Sequence, residues 1–383
     1  MEVTGFSGGY SDFRMMMELT TASAQEYGKI RAGSMTPAMA GEYLREGRLQ
    51  IRTFSEVLRR FYPAADLQAR LTAALTADNP SAAPASVSKN VRNWLSGRNT
   101  PSSRTEIFHI AFALSLTESE ADYLLAFCTD CGIHSREGRD AVYAWFLRSG
   151  RSFREAEAFY ATLPPAPRLT RLSPDDSTGE QITLQLRQAF AQVQTEEELR
   201  ACYLGSLERF GELHLQAYHY FTRFMKKLMQ PDAAWNGEKE AAYTLDQVMK
   251  KYLTLHMPCR KRRKAYSLTK RLIRAGWPST THLYDIYHRR EDVSRKLLLL
   301  LYVVTENLVD EEYCEMHETY ITMQERLDDH WYCLNAILAD CGMALLDPRQ
   351  PFDWLVLYAL SADNEPMSAR MEQTIDALFA DET

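Results

Sequence analysis

Gly97 stands three residues after Trp94 and four before Pro101, and this spacing constrains the fold more than any other part of the 383-residue chain. In Ser88-Lys89-Asn90-Val91-Arg92-Asn93-Trp94-Leu95-Ser96 the apolar residues Val91, Trp94 and Leu95 recur at helical intervals and gather on one side of a helix. Ser88, Lys89 and Arg92 fall on another side, open to a polar partner. Gly97 ends such a helix, because the residue past the C-cap often takes a positive φ that costs glycine nothing. A polar turn leads to Pro101-Ser102, and from Arg104 the residues Ile107, Ile110, Ala111 and Leu114 repeat at helical spacing. The predicted unit is a helix, a short turn and a second helix packed behind the first.

This arrangement resembles the second half of the lambda-repressor-like helix-turn-helix family of phage and bacterial regulators, of the xenobiotic-response-element type. The likeness rests on Val91, Trp94, Gly97, Pro101, Ser102, Ile107, Ala111 and Leu114, and covers residues 66–126 only. It implies a DNA-binding transcriptional regulator, homodimeric on near-palindromic double-stranded DNA. Ser88, Lys89 and Arg92 would reach base edges, while Lys89, Arg98 and Arg104 would contact phosphate. The chain departs from the family at one place. Its candidate positioning helix, 66–77, is followed by Asp78-Asn79-Pro80-Ser81-Ala82-Ala83-Pro84, a connection longer and richer in proline than the family's turn.

A formal net charge of -7 looks wrong for a DNA ligand until its distribution is considered. Arg260, Lys261, Arg262, Arg263, Lys264, Lys270, Arg271 and Arg274 bring eight positive charges into fifteen residues with no acidic one. Residues 310–383 hold 17 acidic and 3 basic side chains. Phosphate neutralisation is a local matter, so the basic segment joins the DNA-contact candidates despite the acidic whole.

The remaining composition points to an all-α protein without a membrane span. No run of about 18 uncharged apolar residues occurs, and Leu297–Val304 is too short to cross a bilayer. No secretory leader pattern opens the chain. Seven scattered cysteines suit reduced core residues better than a disulfide framework. The expectation is a cytoplasmic protein.

Helical patterns follow one another almost without interruption. An N-terminal extension, 1–52, precedes a helix-turn-helix-containing domain, 53–163, where Thr53-Glu56 and Thr117-Glu120 are capping boxes. A proline-rich and then polar stretch, 164–180, is the predicted linker. A larger all-helical C-terminal domain, 181–383, would serve dimerisation or sensing. It opens with amphipathic runs at 182–193 and 196–229, the second carrying an aromatic stripe of Tyr203, Phe210, His214, Tyr218, Phe221 and Phe224. A shift of 192 residues pairs Ser88, Val91, Trp94, Arg98, Ser102, Arg104 and Ile107 with Thr280, Leu283, Ile286, Arg290, Ser294, Lys296 and Leu299. This predicts a second helix-turn-helix-like unit over 261–308, with Arg289 in the place of Gly97.

Motifs for catalysis are missing. There is no phosphate-binding glycine loop, no dinucleotide fingerprint and no nucleophile elbow. Cys128-x-x-Cys131 with His134 lacks the fourth ligand of a zinc site and reads as core packing. No cofactor is expected. The alternative to a DNA-binding regulator is a helical adaptor of a mobile element or defence system, whose helix-turn-helix is only a scaffold.

Overall fold

The computed structural model describes residues 20–78, 83–101, 103–165, 179–210, 215–230, 242–258, 266–305, 322–363 and 365–380. Among them the chain is all-α, and its one β-type contact is an antiparallel bridge between Cys131 and Met343. No helix of the described residues is long and apolar enough to cross a membrane.

The first part comprises α1 (Thr21–Arg31), α2 (Pro37–Arg45), α3 (Phe54–Phe61), α4 (Leu67–Asp78), α5 (Pro84–Leu95), α6 (Arg104–Ala113), α7 (Glu118–Thr129), α8 (Gly138–Arg148), α9 (Phe153–Ala161), α10 (Gly179–Gln192) and α11 (Glu196–Gly205). The second comprises α12 (Leu215–Met229), α13 (Leu245–Val248, continued by a π-turn over Met249–Leu253), α14 (Leu268–Arg274), α15 (Thr280–Tyr287), α16 (Arg295–Val304), α17 (Met323–Asp340), α18 (Pro351–Leu360) and α19 (Met367–Leu378). Capping boxes open α3, α7, α9, α11, α13 and α17, each with a Ser or Thr whose oxygen accepts from the N–H three residues on.

Burial gathers into two hydrophobic cores. The first runs from Phe54 to Phe210 and the second joins Ile30, Ala40, Leu44 and Leu49 to residues from Ala217 to Phe379. The cores therefore do not follow the boundaries drawn from composition. Leu186, Phe190, Leu199 and Tyr203, beyond the proline-rich stretch, complete the first core, and α1 and α2 complete the second. Gly41 permits that last contact, since a Cβ there would stand 2.4 Å from the Cβ of Ala377 and 2.8 Å from the Thr374 carbonyl on α19. Residues 166–178 of the predicted linker lie outside the described residues.

The predicted single run 196–229 is divided between α11 and α12. Its aromatic stripe is divided as well, because Tyr203 and Phe210 pack in the first core and Phe221 and Phe224 in the second. His214 lies outside the described residues.

The second core repeats details of the first. Arg104, the first residue of α6, bonds to the carbonyls of Cys131 and Gly132 and to the Asp140 carboxylate on α8. Arg295, the first residue of α16, bonds to the carbonyls of Ala344 and Leu345 and to the Asp353 carboxylate on α18. Asp140 accepts the His134 N–H and Asp353 the Asp347 N–H, both at 2.9 Å. The Asp122 side chain accepts the Ile133 N–H at 2.6 Å, and Asn335 accepts that of Leu346 at 2.8 Å. Asp122, Cys131, Ile133 and Asp140 match Asn335, Ala344, Leu346 and Asp353 at one constant offset. Such agreement in both sequence register and bonding identifies α6–α8 and α16–α18 as two versions of one arrangement, preceded by α5 and α15 respectively.

The register differs from the sequence alignment in one respect. Ser103 caps α6 but Ser294 caps α16, so the second turn is a residue shorter and Arg295, not Lys296, is the counterpart of Arg104. Lys296 instead donates to the carbonyls of Leu272 at 3.1 Å and Ile273 at 2.8 Å, closing the end of α14. The loop before α18 is tied to the start of α3 by Arg52 with Asp347 at 3.2 Å and by Arg349 with Glu56 at 2.8 Å.

Candidate nucleic-acid interface

The helix α5 begins earlier than its polar residues alone suggest. Pro84 is its first residue, a position where the missing N–H is no loss and the fixed φ suits a helix. The connection from α4 therefore shortens to residues 79–83, close to the roughly 3–4 residue turn of a helix-turn-helix. The end of α4 is held from behind. Asp78 pairs with His109 at 2.9 Å, the His109 ring stacks on Phe153 at 4.0 Å, and Arg154 donates to the Ala77 carbonyl at 2.6 Å.

Val91 and Trp94 are buried in the first core and seat α5 against α4 and α3. Its opposite face is turned out. Ser86, Lys89, Asn90 and Arg92 are exposed, as are Arg98, Asn99 and Thr100 in the turn that follows, while Ser88 is half-buried against α4. Among the described residues, Lys89, Arg92 and Arg98 form no ion pair, and residues 83–101 contain no carboxylate. Three unneutralised cations thus share one helix end and its turn.

Gly97 holds that turn at φ 71°, and the N–H groups of Ser96, Gly97 and Arg98 donate to the carbonyls of Arg92, Trp94 and Asn93. A Cβ at Gly97 would meet only Thr53 Cγ2 at 3.7 Å, so glycine is required by the backbone angle and not by space.

Other sequence-predicted contacts are placed differently. Arg104 turns inward to Asp140, Thr129 and two loop carbonyls, which removes it from a phosphate-facing position. It ties the α7–α8 loop to the start of α6. Lys270 is only 3 % exposed, and its Nζ lies 5.4 Å from the Phe379 ring centre, so burial in the second core removes it from the surface. Arg271 is exposed on α14. Arg260, Lys261, Arg262, Arg263 and Lys264 lie outside the described residues. Asp140 and Asp353, which hold Arg104 and Arg295, belong to no sequence motif. A carboxylate among apolar neighbours three residues into an otherwise buried helix is the cue that could have found them.

Burial pushes the Cys128 thiol up to about 12 and the Cys131 thiol up to about 11, leaving both protonated. No group of three His, Cys, Asp or Glu side chains placed to hold a metal ion occurs among the described residues.

No family model, curated protein sequence or solved structure matches this chain.

Proposed function

We propose that this protein is a DNA-binding transcriptional regulator that lays α5 in the major groove. The observation that carries the reading is the outward face of α5 and its turn, where Lys89, Arg92 and Arg98 have no carboxylate partner among the described residues, on a helix packed against α3 and α4. Ser86, Lys89 and Arg92 face base edges, Arg or Lys being the side chains suited to the O6 and N7 of guanine. Arg98 follows the strand as a phosphate contact. Ser88 sits against α4 and sets the helix without reaching the groove.

The test is equilibrium binding of the whole chain to duplex DNA over a series of salt concentrations. Affinity that falls with salt, and that Arg92→Ala weakens, supports the reading. Purified folded protein that retards no DNA at low salt would leave the helix-turn-helix as scaffold in an adaptor.

A further inference from the structure

Residues 49–53 carry the chain from the second core into the first, with Leu49 buried in one and Phe54 in the other. This crossover touches the turn that ends α5. Thr53 Cγ2 stands 3.7 Å from where a Cβ on Gly97 would lie, and the exposed Arg98 is the next residue along that turn. Thr53 also caps α3, which brings its partner Glu56 to the same place. The Glu56 Oε2 accepts the Thr53 N–H at 2.7 Å and the Thr53 hydroxyl at 3.2 Å. These contacts put a carboxylate within one Debye length of the Gly97 turn, about 8–10 Å at ordinary salt, where its field is not yet screened away.

That carboxylate is already answered from the second core. Arg349 donates from Nη2 to Glu56 Oε1 at 2.8 Å and from Nε to the Gln50 carbonyl at 2.7 Å, while its own carbonyl accepts the Arg52 N–H at 3.2 Å. Its side chain is only 10 % exposed, so it acts on the turn through Glu56 and does not itself reach a ligand. Burial works to raise the Glu56 carboxyl, but Arg349 and the Thr53 N–H together hold it below the usual carboxylate range. Glu56 is therefore ionised at neutral pH, and Arg349 is the charge that balances it.

Resting on the DNA reading above, we infer that Arg349 is a positioning residue of the DNA-contact turn. Supplied by the loop before α18, it holds and neutralises Glu56, and so leaves the positive charge of Arg98 undiminished for phosphate. Without it an unbalanced carboxylate stands beside the turn and repels the strand that Arg98 follows.

Duplex binding by the full-length protein and three variants, at low and high salt, tests this. Arg349→Met keeps the aliphatic stem and removes the charge; it should weaken binding about threefold at low salt, the effect of one unit charge across roughly 8 Å of water. The loss should shrink as salt rises, and the ranking of duplexes should not change. Adding Glu56→Gln to Arg349→Met should restore the affinity. Glu56→Gln alone, which keeps the capping box, should tighten binding about threefold, and this variant carries the test if Arg349→Met does not fold. A loss that Glu56→Gln fails to rescue, or that persists at high salt, would make Arg349 a purely structural tie and overturn the inference while the α5 reading stands. Silence of Glu56→Gln alone overturns it equally. If the unaltered protein bound no duplex at low salt, the reading beneath the inference would fall instead.

Discussion

The Arg295 guanidinium closes on Asp353 with two hydrogen bonds of 2.8 Å, in a pair whose side chains are 7 % and 2 % exposed. Burial opposes the charge on Arg295, but Asp353 beside it more than restores the protonated state, so its pKa is raised. The ion pair ties the start of α16 to the third residue of α18 and, through the Ala344 and Leu345 carbonyls, to the loop between α17 and α18.

Removing one partner of such a pair strands the other in the core. Asp353→Asn should lower unfolding free energy by about 3–5 kcal/mol. Asp140→Asn should cost less, about 1–3 kcal/mol, because Arg104 is 27 % exposed and water reaches part of it. Urea denaturation of the two variants gives the comparison. The double substitution Arg295→Met with Asp353→Leu should be less damaging than Asp353→Asn alone, since no charge is left without a partner.

Gly97 and Arg289 stand at the same step of the helix-ending turn, at φ 71° and φ 56°. Arg289 keeps this left-handed angle while its guanidinium lies 4.1 Å from the Tyr218 ring centre. Gly97→Ala should destabilise by about 1 kcal/mol through backbone strain alone. In Arg289→Gly relief of the same strain opposes loss of the Tyr218 contact, and the change in stability should stay within about 0.5 kcal/mol. Thermal melts of both variants check the asymmetry.

What could be read from the sequence follows from how far each interaction reaches along the chain. Capping boxes such as Thr53-Glu56 and Thr117-Glu120 are legible because both partners lie within one helical turn. The apolar seam of Val91, Trp94, Ile107 and Ala111 is legible because periodicity encodes a face. Arg104–Asp140 and Arg295–Asp353 are not, since a pair far apart in sequence leaves no spacing to detect, and an arginine read as surface charge proves to be an internal strut. Pro84 is ambiguous for a different reason, as proline both breaks helices and begins them. The division of 196–229 is hidden because its aromatic period continues across the break. Gly205 at the end of α11 is the one sign of it in the sequence.

His330 gives the fold an acid-sensitive point. Burial, reinforced by the nearby Arg326 charge, lowers its pKa from 6.5 to about 4, and its Nδ1 lies 2.8 Å from the Tyr302 hydroxyl. Between these two values the unfolded chain takes up a proton that the native chain refuses, so stability falls as pH falls through the window. The slope is at most about 1.4 kcal/mol per pH unit. Comparing urea midpoints at pH 7 and pH 5, His330→Gln should lose less stability on acidification than the unaltered protein. An equal loss would assign the acid sensitivity to other groups.

Lys89 and Arg92 lie one turn apart on α5, exposed and without a carboxylate partner among the described residues, yet they should fail in different ways. A cation that only neutralises phosphate weakens all sequences alike, and its removal lowers the salt slope of log affinity by about 1. A side chain that forks a base changes which sequence is preferred, and its loss costs about 1–3 kcal/mol at the preferred site. Arg98, in the turn beyond the helix, should behave as the first kind. Arg98→Ala should reduce the slope and preserve the ranking of duplexes, whereas Arg92→Ala should flatten the ranking at one base position. Competition titrations with matched and single-substituted duplexes at two salt concentrations separate the outcomes. If Arg92→Ala changed only the slope, Arg92 would be a phosphate contact and base reading would fall to Lys89 and Ser86.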